Sequence, residues 1–287
     1  MIKAAVIGHP IGHSKSPLIH NYWIAKYGLS GSYEAIDIPC EALEEKVRRL
    51  VEAGYAGFNV TIPHKEEIAG ICDELSDTAR QVGAVNTVRI VGGKLLGDNT
   101  DVFGFTENIK EGAPEFVFSR AAAVLLGAGG ASRAIVHGLL EHGTPEVIIC
   151  NRTRAKAEEV KASCVDPARV RIEPWEARNS VLARAGLLVN TTALGMQGQA
   201  PLEIDLSALS QDTVVSDVVY TPLETELLKA AAVRGNKTVT GIGMLLQQAR
   251  PAFEAWFGVM PEVTAELRGK VLGIKNWQER VTANERE

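Results

Sequence analysis

Two kinds of chemistry can be read from residue types and spacing in this 287-residue chain. The first lies in Gly127-Ala128-Gly129-Gly130-Ala131-Ser132. Glycines let a backbone come close to a diphosphate, and a helix starting at such a turn offers unpaired N–H groups and a favourable dipole end. A full G-x-G-x-x-G string would need glycine at 132, where Ser132 stands, so the turn alone leaves a dinucleotide site and a plain tight turn both open. The next strand ends in Asn151-Arg152-Thr153, with Lys156 close behind. An NAD site usually places an acid there, about 20 residues past the glycines, for the ribose hydroxyl. Here the side chains are polar and cationic, a pattern suited to a 2′-phosphate, so NADP(H) is favoured over NAD. A solvated basic helix start is the competing reading, but a basic first turn opposes the helix dipole.

The second kind is proton transfer. Hydride transfer to a carbonyl needs a proton donor near the carbonyl oxygen. The six histidines, His9, His13, His20, His64, His137 and His142, read as surface or loop residues. A lysine with a partner acid is the alternative. Lys65 follows the apolar stretch Gly57–Thr61, and Asp101 ends Gly97-Asp98-Asn99-Thr100-Asp101 at a helix start. Each also has an ordinary reading, an exposed lysine and a helix cap. Ser14 and Ser16 offer hydroxyls to a carboxylate or a polyol, although Ser16 also suits a helix cap with Pro17 in the first turn. Small hydroxylated residues at 191 and 192 follow another strand end and can line a cofactor crevice.

The elements that must position these residues alternate. Strands are expected at 3–8, 32–38, 57–61, 122–126, 146–150, 186–190, 213–219 and 237–240, separated by amphipathic helices. One helix begins at Ser16 and carries Leu18, Tyr22 and Ala25 towards the core; another places Leu43, Val47 and Leu50 on one face. A hairpin turns at Gly92-Gly93, and a last helix is expected from Pro261 to about Trp277, followed by a charged tail. Strand–helix alternation implies α/β units with parallel sheets, whose ligands gather at the carboxyl ends of strands.

Composition narrows the function class. Hydrophobic residues make up 46% and charged residues 23%, ordinary for a globular enzyme, and the net charge of −5 argues against nucleic acid or an acidic membrane as partner. No run is long and apolar enough for a membrane span, and no leader is expected. The four cysteines are scattered without a C-x-x-C pair, so neither a metal site nor a disulfide framework is indicated, and a cytoplasmic location is expected.

Seven ordered blocks then resemble the shikimate dehydrogenases over nearly the whole chain: Ser14-Lys15-Ser16-Pro17 with His20-Asn21; Asn59 to Lys65; Gly83 to Thr87; Gly97 to Asp101; Gly127 to Ser132; Asn151 to Thr153; and Gly241-Ile242-Gly243-Met244 with Gln248. The resemblance implies a two-domain α/β fold with a cleft between the domains. Residues 1–104 and 242–287 would form a discontinuous substrate domain with a mostly parallel sheet, and 105–241 a Rossmann-like NADP-binding domain. It implies NADPH-dependent, reversible reduction of 3-dehydroshikimate to shikimate, a step towards chorismate and the aromatic amino acids. Ser14 and Ser16 would bind the substrate carboxylate, with Tyr220 nearby. Thr61, Asn86, Asp101 and Gln248 would bind ring hydroxyls. Lys65 would be the acid/base, paired with Asp101, whose anion favours the ammonium form. Gly127, Ala128, Gly129, Gly130, Ala131 and Ser132 would cradle the pyrophosphate; Asn151, Arg152, Thr153 and Lys156 the 2′-phosphate; Thr191, Val218 and Gly241 would lie along the cofactor. The expected partners are small molecules, with the chain a monomer or homodimer. His64 departs from the phenylalanine common in relatives. The competing functions are a quinate/shikimate dehydrogenase using NAD and a non-catalytic NADP-binding sensor.

Overall fold

A computed structural model describes residues 1–274. The chain divides into two compact units, Met1–Thr100 with Gln248 onward, and Asp101–Gln247.

The first unit begins with β1 (Ile2–Gly8), α1 (Ser16–Lys26), β2 (Gly31–Asp37), α2 (Leu43–Glu52) and β3 (Gly57–Val60). It continues with α3 (Glu67–Ile71), β4 (Glu74–Leu75), α4 (Asp77–Val82), β5 (Thr87–Val91) and β6 (Lys94–Asp98). Its sheet runs β2-β1-β3-β5-β6-β4. β1 is parallel to β2 and β3, and β4 to β6; β5 is antiparallel to both its neighbours. The antiparallel pair is the hairpin marked by Gly92-Gly93, where both φ angles are positive, the geometry only glycine adopts freely. One face of the sheet buries Ala5, Ile7, Phe58 and Val60 against Leu43, Val47 and Leu50 of α2.

The second unit contains α5 (Asp101–Gly112), β7 (Ala122–Leu126), α6 (Gly130–Glu141), β8 (Val147–Asn151), α7 (Arg154–Ala162), β9 (Val170–Pro174), β10 (Ala185–Asn190), β11 (Val214–Asp217), α8 (Glu226–Val233) and β12 (Thr238–Val239). The sheet is parallel throughout, in the order β12-β11-β10-β7-β8-β9. The strand order reverses between β7 and β10, the point where a doubly wound sheet opens a crevice. Ala123 and Leu125 enter one core layer, Val124 and Leu126 the other, which is why this strand reads as a continuous apolar run. Helix α9 (Ile242–Phe257) carries the division between the units, and α10 (Ala265–Leu272) follows.

Several expectations are corrected. On α1 the buried residues are Ser16, Ile19, His20, Trp23 and Ile24, whereas Leu18 and Ala25 are exposed. Sequence periodicity placed the wrong face inward because a buried histidine and tryptophan occupy the true one. Lys15, not Ser16, sits at the N-cap. The last helix starts at Ala265, capped by Thr264, and ends at Gly273 in the left-handed conformation; Trp277 and the tail lie outside the described residues. His20 and His64 are fully buried and His137 nearly so, so none of the three is a surface residue. His20 stacks on Tyr33 with ring centroids 4.1 Å apart and packs against Trp23, Phe253 and Trp256. Histidine there supplies a flat aromatic body to a core built by α1, β2 and α9.

Burial pushes the His20 imidazole down to about 3, against a smaller opposing contribution from Asn59. The folded protein therefore cannot take a proton that the unfolded chain accepts below its ordinary value of 6.5. The stabilising difference is complete above 6.5 and is lost as pH falls towards 3. Between pH 7.5 and 5.0 the wild type should lose about 2 kcal/mol more unfolding free energy than His20→Phe, which keeps the ring but cannot titrate. Denaturant unfolding at the two pH values measures this. Equal losses in the two proteins would show that His20 does not couple protonation to folding.

Candidate active site

In the first unit β1 and β3 run parallel, with Ile7 opposite Val60, so the loops that leave their carboxyl ends emerge side by side. They pack closely at Gly8, where a Cβ would stand 2.5 Å from Thr61 Cγ2. The first loop is held by Asp37 at the end of β2. Its Oδ2 lies 2.9 Å from His9 Nδ1, and its Oδ1 accepts the Ile11 N–H at 3.0 Å. The bond with His9 holds the Asp37 carboxyl below the usual carboxylate range. Ser14 follows at the start of α1, and its Oγ accepts the Ser16 N–H at 3.3 Å. Ser14 is partly exposed and Ser16 buried, both at the start of α1.

The second loop is a tight turn. Thr61 N–H donates to Ile7 O at 2.9 Å, and His64 N–H to Thr61 O at 3.0 Å. His64 lies with Nε2 2.6 Å from Ile38 O, tying the turn to the residue after β2. Lys65, the next residue, is half-buried, and its carbonyl accepts the Val85 N–H at 2.7 Å. Asn86 is buried at the end of the following loop. Its Oδ1 accepts the Thr100 N–H at 2.8 Å, and its Nδ2 donates to Thr100 Oγ1 at 3.0 Å and to Gln248 Oε1 at 3.4 Å. Behind it, Asn59 Nδ2 donates to Asn86 O at 3.2 Å and to Thr87 Oγ1 at 3.0 Å, and Asn59 Oδ1 accepts the Tyr33 hydroxyl at 2.6 Å. The first unit thus brings together Ser14 with Ser16, Thr61 with Lys65, and Asn86 with Gln248. These are directional, mostly uncharged donors and acceptors with one cation, a set suited to a small polyhydroxylated acid.

The remaining residues singled out in the sequence belong to the second unit. Asp101 is the buried first residue of α5. After β7, Gly127 takes φ +109°, and a Cβ there would stand 2.6 Å from Thr192 Cγ2. The Thr191 hydroxyl donates to Leu126 O at 2.9 Å and Gly127 O at 3.1 Å, and lies 2.9 Å from the buried Ser132 Oγ. The serine at the third fingerprint position thus turns inward to lock the turn, with its side chain fully buried. Gly129 and Gly130 are exposed; a Cβ on Gly130 would meet nothing within 4 Å, and one on Gly129 only Thr191 O at 3.7 Å. No side chain caps α6 at Gly129, and Ala128 and Ala131 are partly exposed beside it. A helix start without a side-chain cap, over open glycine surface, fits a pyrophosphate.

At the end of β8, Asn151 Oδ1 accepts the Ala128 N–H at 3.1 Å, coupling this strand end to the glycine turn. Arg152, Thr153 and Lys156 are exposed. Arg154 pairs with Glu158 at 2.9 Å, whereas Arg152 and Lys156 make no ion pair among the described residues. The Arg152 guanidinium lies 5.4 Å from the Trp175 ring centre, which gives a flexible cation a fixed platform. These residues fit a 2′-phosphate. Beyond β11, Val218 N–H donates to Asn190 O at 3.0 Å, and Gly241 packs so tightly that a Cβ would come within 2.4 Å of Val218 O. Tyr220 is half-buried, and burial raises its phenol.

Sequence reasoning did not find Tyr33, Trp175, Asn190 or Asp217. Asn59 and Asn190 carried a signal, since each is a polar residue set in an apolar strand run. Trp175 had none, because its partner Arg152 follows a different strand and lies 23 residues earlier in the chain.

Comparison with known proteins agrees with this geometry. Residues 6–88 match the family model described as shikimate dehydrogenase substrate binding domain, and residues 111–196 that described as shikimate / quinate 5-dehydrogenase. The NADP⁺ shikimate dehydrogenase of Methylobacterium radiotolerans is 50% identical over 274 residues, covering 94% of this chain and 96% of that protein. The shikimate 5-dehydrogenase of Thermus thermophilus, solved with NADP(H) and shikimate, superposes with a TM-score of 0.83 at 36% identity, covering 95% of this chain and 99% of that one. The quinate dehydrogenase of Corynebacterium glutamicum, solved with NAD, gives 0.88 at 32% identity, covering 95% and 99%.

The glycine turn separates two effects that substitution can distinguish. Gly130→Ala meets open space, so it should leave thermal stability unchanged while weakening NADPH binding roughly tenfold or more, about 1.4 kcal/mol. Gly127→Ala imposes an unfavourable φ and a clash, and should destabilise the unliganded protein by about 1–3 kcal/mol. Thermal unfolding and NADPH fluorescence titration read both. Full-strength NADPH binding by Gly130→Ala would remove the pyrophosphate from this turn.

Proposed function

Because the chain belongs to the shikimate dehydrogenase family, we propose that it catalyses the reversible, NADPH-dependent reduction of 3-dehydroshikimate to shikimate, a step in chorismate and aromatic amino-acid biosynthesis. The observation that carries this reading is the pairing, in one chain, of a polyol-type site built on Asn86, Gln248 and the Ser14–Ser16 turn with a glycine turn followed by Arg152 on Trp175.

In our assignment the first unit takes the substrate and the second the dinucleotide. Ser14 and Ser16 receive the ring carboxylate through hydroxyls at the start of α1, and Tyr220 contributes a phenol to that group. Thr61, Asn86, Asp101 and Gln248 bind the ring hydroxyls. The buried network behind Asn86 supports this role, because an amide whose oxygen is fixed by Thr100 N–H presents its remaining valences at a defined angle. Lys65 donates a proton to the carbonyl oxygen as the alcohol forms and takes it back in oxidation, with Asp101 as its partner acid. Bound NADPH supplies the hydride. The chain's own contribution to it is the open N-terminus of α6 for the pyrophosphate, Asn151, Arg152, Thr153 and Lys156 for the 2′-phosphate, and Thr191, Val218 and Gly241 along the cofactor.

The preference for NADP over NAD rests on Arg152 and Lys156, cations that no acid of the described residues neutralises. The quinate-and-NAD alternative lacks such support, since no carboxylate stands at the end of β8.

Initial rates of shikimate and quinate oxidation, each with NADP⁺ and with NAD⁺, test the proposal directly. Shikimate with NADP⁺ should dominate, and comparable quinate or NAD⁺ rates would overturn the specificity assignment. Arg152→Ala should lose roughly 10–100-fold in kcat/KM for NADP⁺, as expected for about 1.5–3 kcal/mol of charge-assisted hydrogen bonding, with little change for NAD⁺. Lys65→Ala should lower kcat by roughly 100-fold or more with a much smaller effect on KM. A Lys65→Ala enzyme with intact kcat and weak substrate binding would mark the lysine as a ligand rather than a proton donor.

A further inference from the structure

Asp217, the last residue of β11, is 1% exposed and has no role in the reaction outlined above. Three donors converge on its carboxylate. Asn190 Nδ2 and Val219 N–H each reach Oδ1 at 3.0 Å, and the Thr225 hydroxyl reaches Oδ2 at 2.7 Å. No cation pairs with it among the described residues. Burial pushes the carboxyl up to about 6, while the bonds from Thr225, Val219 and Asn190 work in the opposite direction. A buried anion held by neutral donors is costly, and truncating its partners leaves an unpaired charge. Its value here lies in what it joins.

The three donors come from three places. Asn190 ends β10, Val219 lies in the loop after β11, and Thr225 caps α8, accepting the Leu228 N–H. From Asn190 the contacts continue: its Oδ1 accepts the Thr192 N–H at 3.1 Å and the Thr192 hydroxyl at 2.7 Å. Thr192 is the residue against which Gly127 packs. On the other side, the Val218 carbonyl is the atom that excludes a side chain at Gly241. One carboxylate therefore ties the ends of β10 and β11 to the glycine turn and to the start of α8.

We propose that Asp217 is a positioning residue of the nucleotide-binding edge: with Asn190 and Thr225 it fixes residues 191–194 and 218–220 so that the nicotinamide end of NADP(H) is held for hydride transfer. The proposal rests on the cofactor reading given above. An asparagine at 217 cannot do the same work unchanged, because it removes the charge and its amide nitrogen would force the Thr225 hydroxyl, which already accepts the Leu228 N–H, from donor to acceptor. The adenosine end is held elsewhere, by the glycine turn and Arg152. Loss of Asp217 therefore acts on turnover more than on affinity, since small misplacements of reacting groups are costly in rate.

Wild-type turnover with NADP⁺ and shikimate is measured first. Its absence would overturn the cofactor reading and this proposal with it. Given an active wild type, Asp217→Asn and Thr225→Val should lower kcat by roughly 10–100-fold. The NADPH dissociation constant, from fluorescence titration, and the KM for shikimate should change little. The primary isotope effect with 4-deuterated NADPH should rise as hydride transfer becomes more rate-limiting. Thr225→Ser keeps the hydroxyl and should restore most of the rate. The serine and valine variants keep the comparison valid where Asp217→Asn fails to fold. Unimpaired turnover in Asp217→Asn, a kcat loss matched by an equal loss of NADPH-binding sites, or no difference between Thr225→Ser and Thr225→Val would each overturn the positioning role while leaving the cofactor reading intact.

Discussion

The close approach of two backbones at Gly127 is the constraint on which the nucleotide edge rests. β7 and β10 are neighbours in the sheet, but the chain leaves them to opposite sides, since β8 lies beyond β7 and β11 beyond β10. Where the two paths part, Leu126 O still accepts the Thr191 N–H at 2.9 Å, and the Gly127 carbonyl is met by side-chain hydroxyls. The Thr191 hydroxyl, with one proton to give, lies 2.9 Å from Leu126 O and 3.1 Å from Gly127 O, and the Ser132 hydroxyl also reaches Gly127 O at 3.2 Å. A side chain at 127 would fill the space that Thr192 occupies. The backbone is thus satisfied from inside the fold. The first turn of α6 carries no side-chain cap and its glycines are exposed, and such an open helix end is what an anion requires.

The first unit solves a different problem by a different means. Its proposed ligand is recognised chiefly through hydroxyls, which need direction more than charge. Buried amides provide direction only if their other valences are fixed. Asn59 and Asn86 are 5% and 2% exposed, and they bond to each other's backbone or neighbours, to Tyr33, and to threonines 87 and 100. An incompletely satisfied network of this kind would cost more than an apolar core. Once satisfied it behaves as a rigid frame, and Gln248 on α9 joins it through Asn86.

Charge is distributed to match. Most arginines of the second unit's surface are neutralised by neighbouring acids, as Arg154 is by Glu158 and Arg184 by Glu146. Arg152 is instead held by an aromatic ring, which orients a guanidinium without neutralising it. That difference leaves its charge available to a phosphate. Asp217 is the converse case, an anion held entirely by neutral donors, whose charge is spent on organising backbone rather than on a ligand.

Much of this was legible locally. A run such as Ala122–Leu126, closed by glycines and followed by a helical face, reads as strand, turn and helix because period and turn chemistry are properties of consecutive residues. The Gly92-Gly93 hairpin and the cationic end of β8 were visible for the same reason. The inward face of α1 was misread, because His20 counts as polar in a periodicity argument and becomes apolar only when Tyr33, Phe253 and Trp256 surround it. The positions of Ser132 and Thr191 beside the turn are legible in the sequence, but that their hydroxyls lie 2.9 Å apart within it is not. Asp217 lies inside the expected strand 213–219, where nothing in consecutive residues shows which donors its carboxylate meets. Consecutive residues alone set the order of elements, the glycine turn and the residue types offered to substrate and dinucleotide. Which polar groups are spent on the fold and which are left to a ligand was decided only by the tertiary structure, because hydrogen-bond satisfaction depends on partners many residues away and on the exclusion of water.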